Sequence, residues 1–164
     1  MKQEKKILIP LFWLIAVVVA DQLTKWWVVT SFAHYEIRTI IPGFFNLTYI
    51  TNTGAAFGLF AGRQTLGRQV FFLVVAMAAL LVMFFSYRHY RSQGRLFLHA
   101  IGLIAGGALG NMIDRLRVGA VVDFLDFYVK GLHWPAFNVA DSAITIGVGL
   151  FILGSMLAPE GNRE

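Results

Sequence analysis

Four apolar stretches, each long enough to cross a membrane as a helix, constrain this 164-residue chain more than any other feature of its sequence. A bilayer core about 30 Å thick requires roughly 20 apolar residues per helical span. The stretches cover approximately residues 7–29, 69–87, 96–113 and 139–158. With 57% hydrophobic and 14% charged residues, the chain has too little polar surface for a water-soluble globule. We therefore predict an all-α membrane protein, a four-transmembrane-helix bundle forming a single domain over residues 1–164.

Basic residues flank these stretches in a pattern that predicts the orientation of the bundle. Lysines precede the first stretch and arginines lie in the short second connection: Lys2, Lys5, Lys6, Arg88, Arg91 and Arg95. The positive-inside rule places both groups, and therefore both termini, in the cytoplasm. The net charge of +5 thus marks membrane interfaces, and we expect no nucleic-acid binding. A cleaved signal peptide is the alternative for the first stretch, but its apolar run continues to Val29.

The polar residues that these flanks do not explain gather at the opposite, outer end of the predicted bundle. The helical stretches contribute Asp21, Lys25, Asn111, Asp114, Arg115, Asn138 and Asp141, and the two outer loops contribute Asn46, Asn52, Asp123 and Asp126. Ionisable residues at membrane depth are costly and usually functional. Their convergence predicts a site at the outer membrane face.

Two segments outside the helices have the β-branched and aromatic content of strands. They cover residues 44–51 and 121–129. We predict a small extracytoplasmic β-sheet, or cradle, over the outer mouth of the bundle, within residues 35–60 and 120–130. Asn52 and Gly54 fall in the turn after the first strand, and Asp123 falls within the second.

Paired carboxylates at one membrane face favour amide hydrolysis, because two carboxyls that share a proton supply both a base and an acid. The candidates are Asp21, Asp114, Asp123, Asp126 and Asp141. Cysteine is absent, no HExxH motif occurs and the four histidines lack ligand spacing, so we expect no metal or cofactor. A serine hydrolase is less favoured, because no GxSxG motif occurs. Spacing alone does not choose between Asp123 and Asp126 as the partner of Asp141.

Structural explanations exist for several of these residues. Asn138 and Asp141 match a helix cap, and Asp21 with Lys25 matches an intrahelical ion pair. A small transporter or channel, or a non-catalytic scaffold, is the alternative for the whole chain. A transporter needs polar groups along a path to the cytoplasm, whereas the inner half of the bundle looks apolar.

Five sequence blocks, in order along nearly the whole chain, carry a resemblance to a known family. They are DQLTK at 21–25, NTGAAFG at 52–58, GGALGNMIDR at 106–115, VDF at 122–124 and FNVADS at 137–142. Each block is short, but together they resemble bacterial lipoprotein signal peptidase, also called signal peptidase II.

This resemblance implies an aspartyl endopeptidase of the bacterial cytoplasmic (inner) membrane. It implies cleavage of prolipoprotein signal peptides before a diacylglyceryl cysteine, with Asp123 and Asp141 as the catalytic pair near the outer, periplasmic face. Substrate-binding or supporting roles follow for Asn52, Gly54, Asn111, Asp114, Arg115, Asn138, Asp21 and Lys25. The resemblance further implies that no metal or cofactor is used and that globomycin inhibits. We expect a monomer with membrane lipids and prolipoproteins as its partners.

Overall fold

A computed structural model describes residues 4–54 and 65–157 of the chain. These residues form α1 (Glu4–Ser31), β1 (Ile37–Ile41), β2 (Phe45–Asn52), α2 (Leu66–Tyr90), α3 (Arg95–Val118), β3 (Val121–Val129), β4 (Leu132–His133) and α4 (Val139–Leu157). All four helices are long and apolar enough to cross a membrane. The predicted class, a four-helix membrane bundle with a small sheet, is therefore confirmed.

Helices α1, α2 and α3 extend beyond the predicted stretches. The largest difference is at the end of α3, which continues from residue 113 to Val118 before Gly119 ends it in the left-handed conformation, with φ of 74°. Asp114 and Arg115, which were expected at the end of this helix, are followed by further helical residues, because hydropathy stops at the first charge whereas the backbone hydrogen bonds do not. The predicted strand region 55–60 and the predicted last residue of α4, Ala158, lie outside the described residues.

Helix α3 is the central helix of the bundle, and glycines allow its neighbours to approach closely. In its apolar span 67% of the residues are buried, against 11% to 22% in the other three helices. A Cβ on Gly102 would lie 2.6 Å from the carbonyl oxygen of Pro10 in α1, and one on Gly107 would collide with the carbonyl oxygen of Ala140 in α4. Small residues at these positions therefore bring α1 and α4 close to α3.

The four strands form an antiparallel sheet in the order β1-β2-β3-β4. This sheet lies where α1 and α3 end and α4 begins, which we call the sheet end of the bundle. Val28 of α1 and Phe32, which directly follows that helix, pack there against Val122 and Phe124 of β3. The predicted strands at 44–51 and 121–129 correspond to β2 and β3, whereas β4 lies outside the predicted region.

A short backbone bridge fixes the start of α4 against β3. The carbonyl oxygen of Phe137 accepts hydrogen bonds from the N–H groups of Phe124 and Leu125, at 3.0 and 2.9 Å. The N–H of Phe137 donates to the carbonyl oxygen of Leu125 at 3.1 Å. Asn138, the next residue, is therefore held beside Asp123.

Replacing a packed glycine should loosen the bundle. A Cβ on Gly106 would lie 2.9 Å from Cβ of Val17 and 3.1 Å from the backbone of Leu14. We expect Gly106→Ala to lower the free energy of unfolding by about 1–3 kcal/mol, because the helices must separate to admit the methyl group. Reversible unfolding in mixed detergent micelles measures this difference.

Gly149→Ala is the matched control, because a Cβ there meets nothing within 4 Å. Helix propensity alone should leave that variant unchanged or stabilise it by up to about 1 kcal/mol. Equal stabilities for the two variants would contradict close packing of α1 on α3.

Candidate active site

Asp123 is a buried carboxylate on β3 that faces the bundle. Its side chain is 3% exposed. Its Oδ1 accepts a hydrogen bond from Nδ2 of Asn138 at 2.7 Å, and its Oδ2 accepts one from Nδ2 of Asn52 at 3.1 Å. Asn52 is the last residue of β2 and lies opposite Val121 in the sheet register, so strand pairing brings its amide to this carboxylate.

Asp141 lies in the first turn of α4 and forms a reciprocal cap with Asn138. The N–H of Asp141 donates to Oδ1 of Asn138 at 2.9 Å, and the N–H of Asn138 donates to Oδ2 of Asp141 at 3.3 Å. This is the capping arrangement that the sequence spacing predicted. Oδ1 of Asp141 also accepts a hydrogen bond from Nδ2 of Asn111 on α3, at 2.8 Å.

Asn138 connects the two aspartates. It is fully buried, and its amide nitrogen also lies 3.2 Å from the carbonyl oxygen of Val122 and 3.2 Å from Oδ1 of Asn111. One side chain thus caps α4 with its oxygen while its nitrogen contacts Asp123. The capping role and the site role considered for Asn138 therefore occur together.

Behind these residues, a buried cation lies between two carboxylates. Nζ of Lys25 is 2.9 Å from Oδ2 of Asp21, one helical turn away, and 2.8 Å from Oδ2 of Asp114 on α3. It also donates to Oδ1 of Asn111 at 3.0 Å. Asp21, Lys25 and Asp114 are 0%, 3% and 4% exposed, so water contributes little to stabilising these charges. The predicted ion pair within α1 is present and extends to α3.

Arg115 links the end of α3 to the loop that follows β2. Its guanidinium donates to the carbonyl oxygen of Gly54 at 3.0 Å and lies 5.0 Å from the centre of the Phe72 ring on α2. The N–H of Gly54 in turn donates to Oδ1 of Asn52 at 2.8 Å. The amide of Asn52 therefore contacts Asp123 through its nitrogen and orders the turn at Gly54 through its oxygen.

A cavity of about 590 Å³ opens beside the aspartates. Both carboxylates line it, together with Asn52, Asn111, Arg115, Trp134 and small or apolar residues of α2 and α4. Helix α2 packs against α3, and α4 packs against α3 and α1, so the cavity lies between α2 and α4. Its polar groups are concentrated at the sheet end and its apolar lining continues between the helices.

The electrostatic surroundings of Asp123 disfavour its charged form. Its pKa is raised from 3.8 to about 7, mainly because burial removes water from the carboxylate and next because Asp141 is close by. Hydrogen bonds from Asn52 and Asn138 and the charge of Lys25 lower the pKa, but by less. The two carboxyls therefore interact electrostatically.

Asp126, the other candidate on β3, lies elsewhere. Its carboxylate accepts a hydrogen bond from Nδ2 of Asn46 at 2.8 Å and lies 2.8 Å from Nδ1 of His133. The odd spacing from Asp123 places the two side chains on opposite faces of the strand. The cavity is lined by Asp123 and not by Asp126.

Two glutamines that the sequence analysis did not single out also contact residues of the site. Nε2 of Gln22 lies 3.1 Å from carboxylate oxygens of both Asp21 and Asp114, and Nε2 of Gln69 donates to the carbonyl oxygen of Arg115 at 2.9 Å. Gln22 is part of the DQLTK block, which was its one available signal. In residues 4–54 and 65–157, no three His, Asp or Glu side chains come together as metal ligands do.

Comparisons with known proteins indicate the family to which this chain belongs. A family model described as Signal peptidase (SPase) II matches residues 13–157. The lipoprotein signal peptidase of Desulforapulum autotrophicum is 48% identical over 136 residues, which are 83% of this chain and 84% of that protein. The lipoprotein signal peptidase of Syntrophus aciditrophicus is 46% identical over 149 residues, which are 90% of this chain and 91% of that protein.

Solved structures match as well. One, described as a bacterial membrane enzyme solved by the in meso method at 2.3 Å, has a TM-score of 0.76 at 35% identity and covers 93% of this chain and 88% of its own. A second, solved by the same method at 1.9 Å, has a TM-score of 0.72 at 35% identity, covering 94% and 93%. These matches decide against the transporter, channel and scaffold alternatives, and the chain belongs to the signal peptidase II family of peptidases.

Proposed function

We propose that this chain removes the signal peptide from prolipoproteins, cleaving before a diacylglyceryl cysteine, with Asp123 and Asp141 as its catalytic pair. One observation carries the assignment. Both carboxyls line one cavity, and Asn138 hydrogen bonds to each of them. Family membership supports the reaction class, and the position of both carboxyls in one cavity supports the choice of these two residues.

Unequal environments divide the roles of acid and base between the two carboxyls. Since the pKa of buried Asp123 is raised to about 7, this group holds the shared proton near neutral pH. Asp141 accepts hydrogen bonds from Asn111 and from the backbone of Asn138 at the N-terminal end of α4, where negative charge is favoured. Asp141 is therefore the base and Asp123 the acid.

With these roles, the two carboxyls can carry out every proton transfer of the hydrolysis. A water held between the carboxyls loses a proton to Asp141 as its oxygen attacks the scissile carbonyl carbon. Asp123 donates its proton to the carbonyl oxygen, which stabilises the tetrahedral intermediate. When the C–N bond breaks, the proton on Asp141 passes to the leaving amine and Asp123 recovers its own proton from the intermediate.

The cavity between α2 and α4 suits an apolar helix that enters from the side. Its lining includes Ala76 and Ala79 of α2 and Ala108 of α3, small residues that leave room for the side chains of a signal helix. Helical backbone is hydrogen-bonded internally, so the segment to be cleaved must unwind at the sheet end before water can attack it. The turn at Gly54 is placed to hold that extended segment, and the acyl chains stay in lipid. Phe57, expected in the same loop, lies outside the described residues.

The basic residues indicate how the bundle is oriented in the membrane. Arg88, Arg91 and Arg95 are exposed at the α2–α3 connection, opposite the sheet end. The positive-inside rule assigns this connection and both termini to the cytoplasm, and the catalytic pair to the outer, periplasmic face of the inner membrane. We further propose that the enzyme acts as a monomer and that globomycin occupies the cavity beside the aspartates.

Removing either carboxyl of the pair should abolish cleavage. We expect Asp123→Asn and Asp141→Asn each to lower kcat by at least about 10³-fold, because the pair loses its acid or its base. The assay follows release of the signal peptide from a diacylglyceryl precursor by purified protein in detergent, with and without globomycin.

Asp126→Asn is the matched control, since it makes the same change on the opposite face of the same strand. It should retain most of the wild-type kcat. Substantial turnover by either variant of the pair would refute the catalytic assignment.

Filling the cavity should weaken substrate binding and not the chemistry. Ala79 lines the cavity, whereas its neighbour Ala78 is exposed on another face of α2. We expect Ala79→Phe to raise KM for the precursor roughly tenfold, because the ring occupies space assigned to the signal helix. Ala78→Phe should leave KM unchanged. Equal KM values for the two variants would place the substrate elsewhere.

The raised pKa of Asp123 also predicts a pH-dependent stability. Between pH 3.8 and about 7 the folded chain binds more protons at this carboxyl than the unfolded chain does. The free energy of unfolding of the wild type should therefore fall as the pH rises through this window and level off above it.

Asp123→Asn removes the titrating group and should lack this fall. Between pH 5 and pH 8 the stability difference should shift in favour of the variant by more than about 1.4 kcal/mol, the equivalent of one pKa unit. Reversible unfolding in micelles at both pH values measures the shift, and parallel pH curves for the two proteins would contradict the raised pKa.

A further inference from the structure

The carboxylates on either side of Lys25 each hold a backbone group next to the aspartate pair. Oδ2 of Asp114 accepts a hydrogen bond from the N–H of Val122 at 3.1 Å, and Val122 immediately precedes Asp123. Oδ1 of Asp21 accepts one from the N–H of Ala140 at 3.0 Å, which immediately precedes Asp141. In both contacts a carboxylate binds the N–H of the residue before an aspartate of the pair; one contact joins α3 to β3 and the other joins α1 to α4.

Together with Lys25, these hydrogen bonds link the backbone beside Asp123 to the backbone beside Asp141. Lys25 lies within 2.9 Å of both carboxylates, so it fixes the distance between Asp21 on α1 and Asp114 on α3. That distance in turn constrains the backbone of β3 relative to that of α4. All three bridging side chains are buried, so water offers few competing partners.

We propose that the Asp21–Lys25–Asp114 bridge is a positioning device that sets the separation of the Asp123 and Asp141 carboxyls through the N–H groups of Val122 and Ala140. The inference rests on the proposed function of that pair. The three bridging residues are positioning residues, because they act on the reacting groups through the backbone. On this proposal the Asp21–Lys25 ion pair does more than stabilise α1, because it also sets the separation of the two carboxyls.

Separation matters because the pair must hold one water and share one proton. A reacting group displaced by about 1 Å can lose on the order of 10²-fold in rate. Separation also controls how strongly the two carboxyls repel each other, and therefore how far apart their apparent pKa values lie. A change in the bridge should consequently appear in both kcat and the pH profile.

Other charges face Asp123 from every helix that packs near it. Lys25 approaches from α1, Arg115 from α3 and Asp141 from α4, while Asp114 of α3 is paired with Lys25. Removing the charge of Asp114 leaves Lys25 paired with Asp21, so no isolated cation is buried. The purely electrostatic effect of that removal is the same whether Asn or Ala replaces the aspartate.

Comparing Asp114→Asn with Asp114→Ala therefore separates loss of the charge from loss of the acceptor oxygens that contact Val122, Lys25 and Gln22, since only Asn retains an acceptor oxygen. We expect kcat for the lipidated precursor to fall about tenfold in Asp114→Asn and about 10²-fold in Asp114→Ala. KM should change by less than about twofold in both, because the cavity between α2 and α4 is untouched. The upper limb of the kcat–pH profile should move to lower pH, and further in the Ala variant.

Trp13→Phe is the control for general loosening of α1 against α3. Nε1 of Trp13 donates to Nδ1 of His99 at 2.7 Å, a contact between the same two helices that is remote from the aspartates. This variant should keep the wild-type kcat and pH profile. If Asp114→Ala does not fold in detergent, a wild-type kcat and pH profile in Asp114→Asn would still overturn the proposal.

The outcomes separate this inference from the proposed function. Loss of activity in Asp123→Asn and Asp141→Asn, with wild-type kcat and pH profile in the Asp114 variants, would overturn the positioning role alone. An equal loss of kcat in Asp114→Asn, Asp114→Ala and Trp13→Phe would also overturn it. Turnover by Asp123→Asn would instead reject the proposed function.

Discussion

The position of Lys25 within an apolar helix bundle is the constraint on which the rest of the structure depends. An ammonium group removed from water is destabilising by several kcal/mol unless opposite charges and hydrogen-bond acceptors surround it. Asp21, Asp114 and Asn111 provide that surrounding, and two of them belong to α3. The charge is therefore satisfied only when α1 and α3 are in contact. The glycines of α3 make that contact possible, so helix packing and charge satisfaction depend on each other.

The site is consequently built in two layers joined by amides. The inner layer is the charged bridge, and the outer layer is the aspartate pair that lines the cavity. Asn111 accepts from Lys25 and donates to Asp141, while Asn138 donates to Asn111 and to Asp123. An amide can do this because it carries a donor and an acceptor on one planar group. The two layers are thus joined through neutral amide groups.

Hydropathy predicted the four helices, because lipid requires long apolar spans whatever their sequence. It could not predict that α3 continues past Arg115 to Val118, since a charged residue ends an apolar window but not a helix. Strand content predicted β2 and β3, yet spacing could not choose between Asp123 and Asp126. That choice depends on which face of β3 meets α4, and the backbone bridge at Phe137 determines it. Gln22 and Gln69 escaped notice because an uncharged polar residue on a helix gives no signal until its neighbours are known.

The two contacts of Asn138 restrict what evolution can place at the start of α4. Helix caps are usually interchangeable among asparagine, aspartate, serine and threonine, which differ little in capping free energy. Here the residue must accept from the N–H of Asp141 and also donate to the carboxylate of Asp123. A carboxylate in its place has no donor for Asp123 and would add a third negative charge, while a serine hydroxyl is too short to span both partners. A position that tolerates variation in most helices is therefore restricted here to a side chain that both accepts and donates, because the end of the helix is also part of the site.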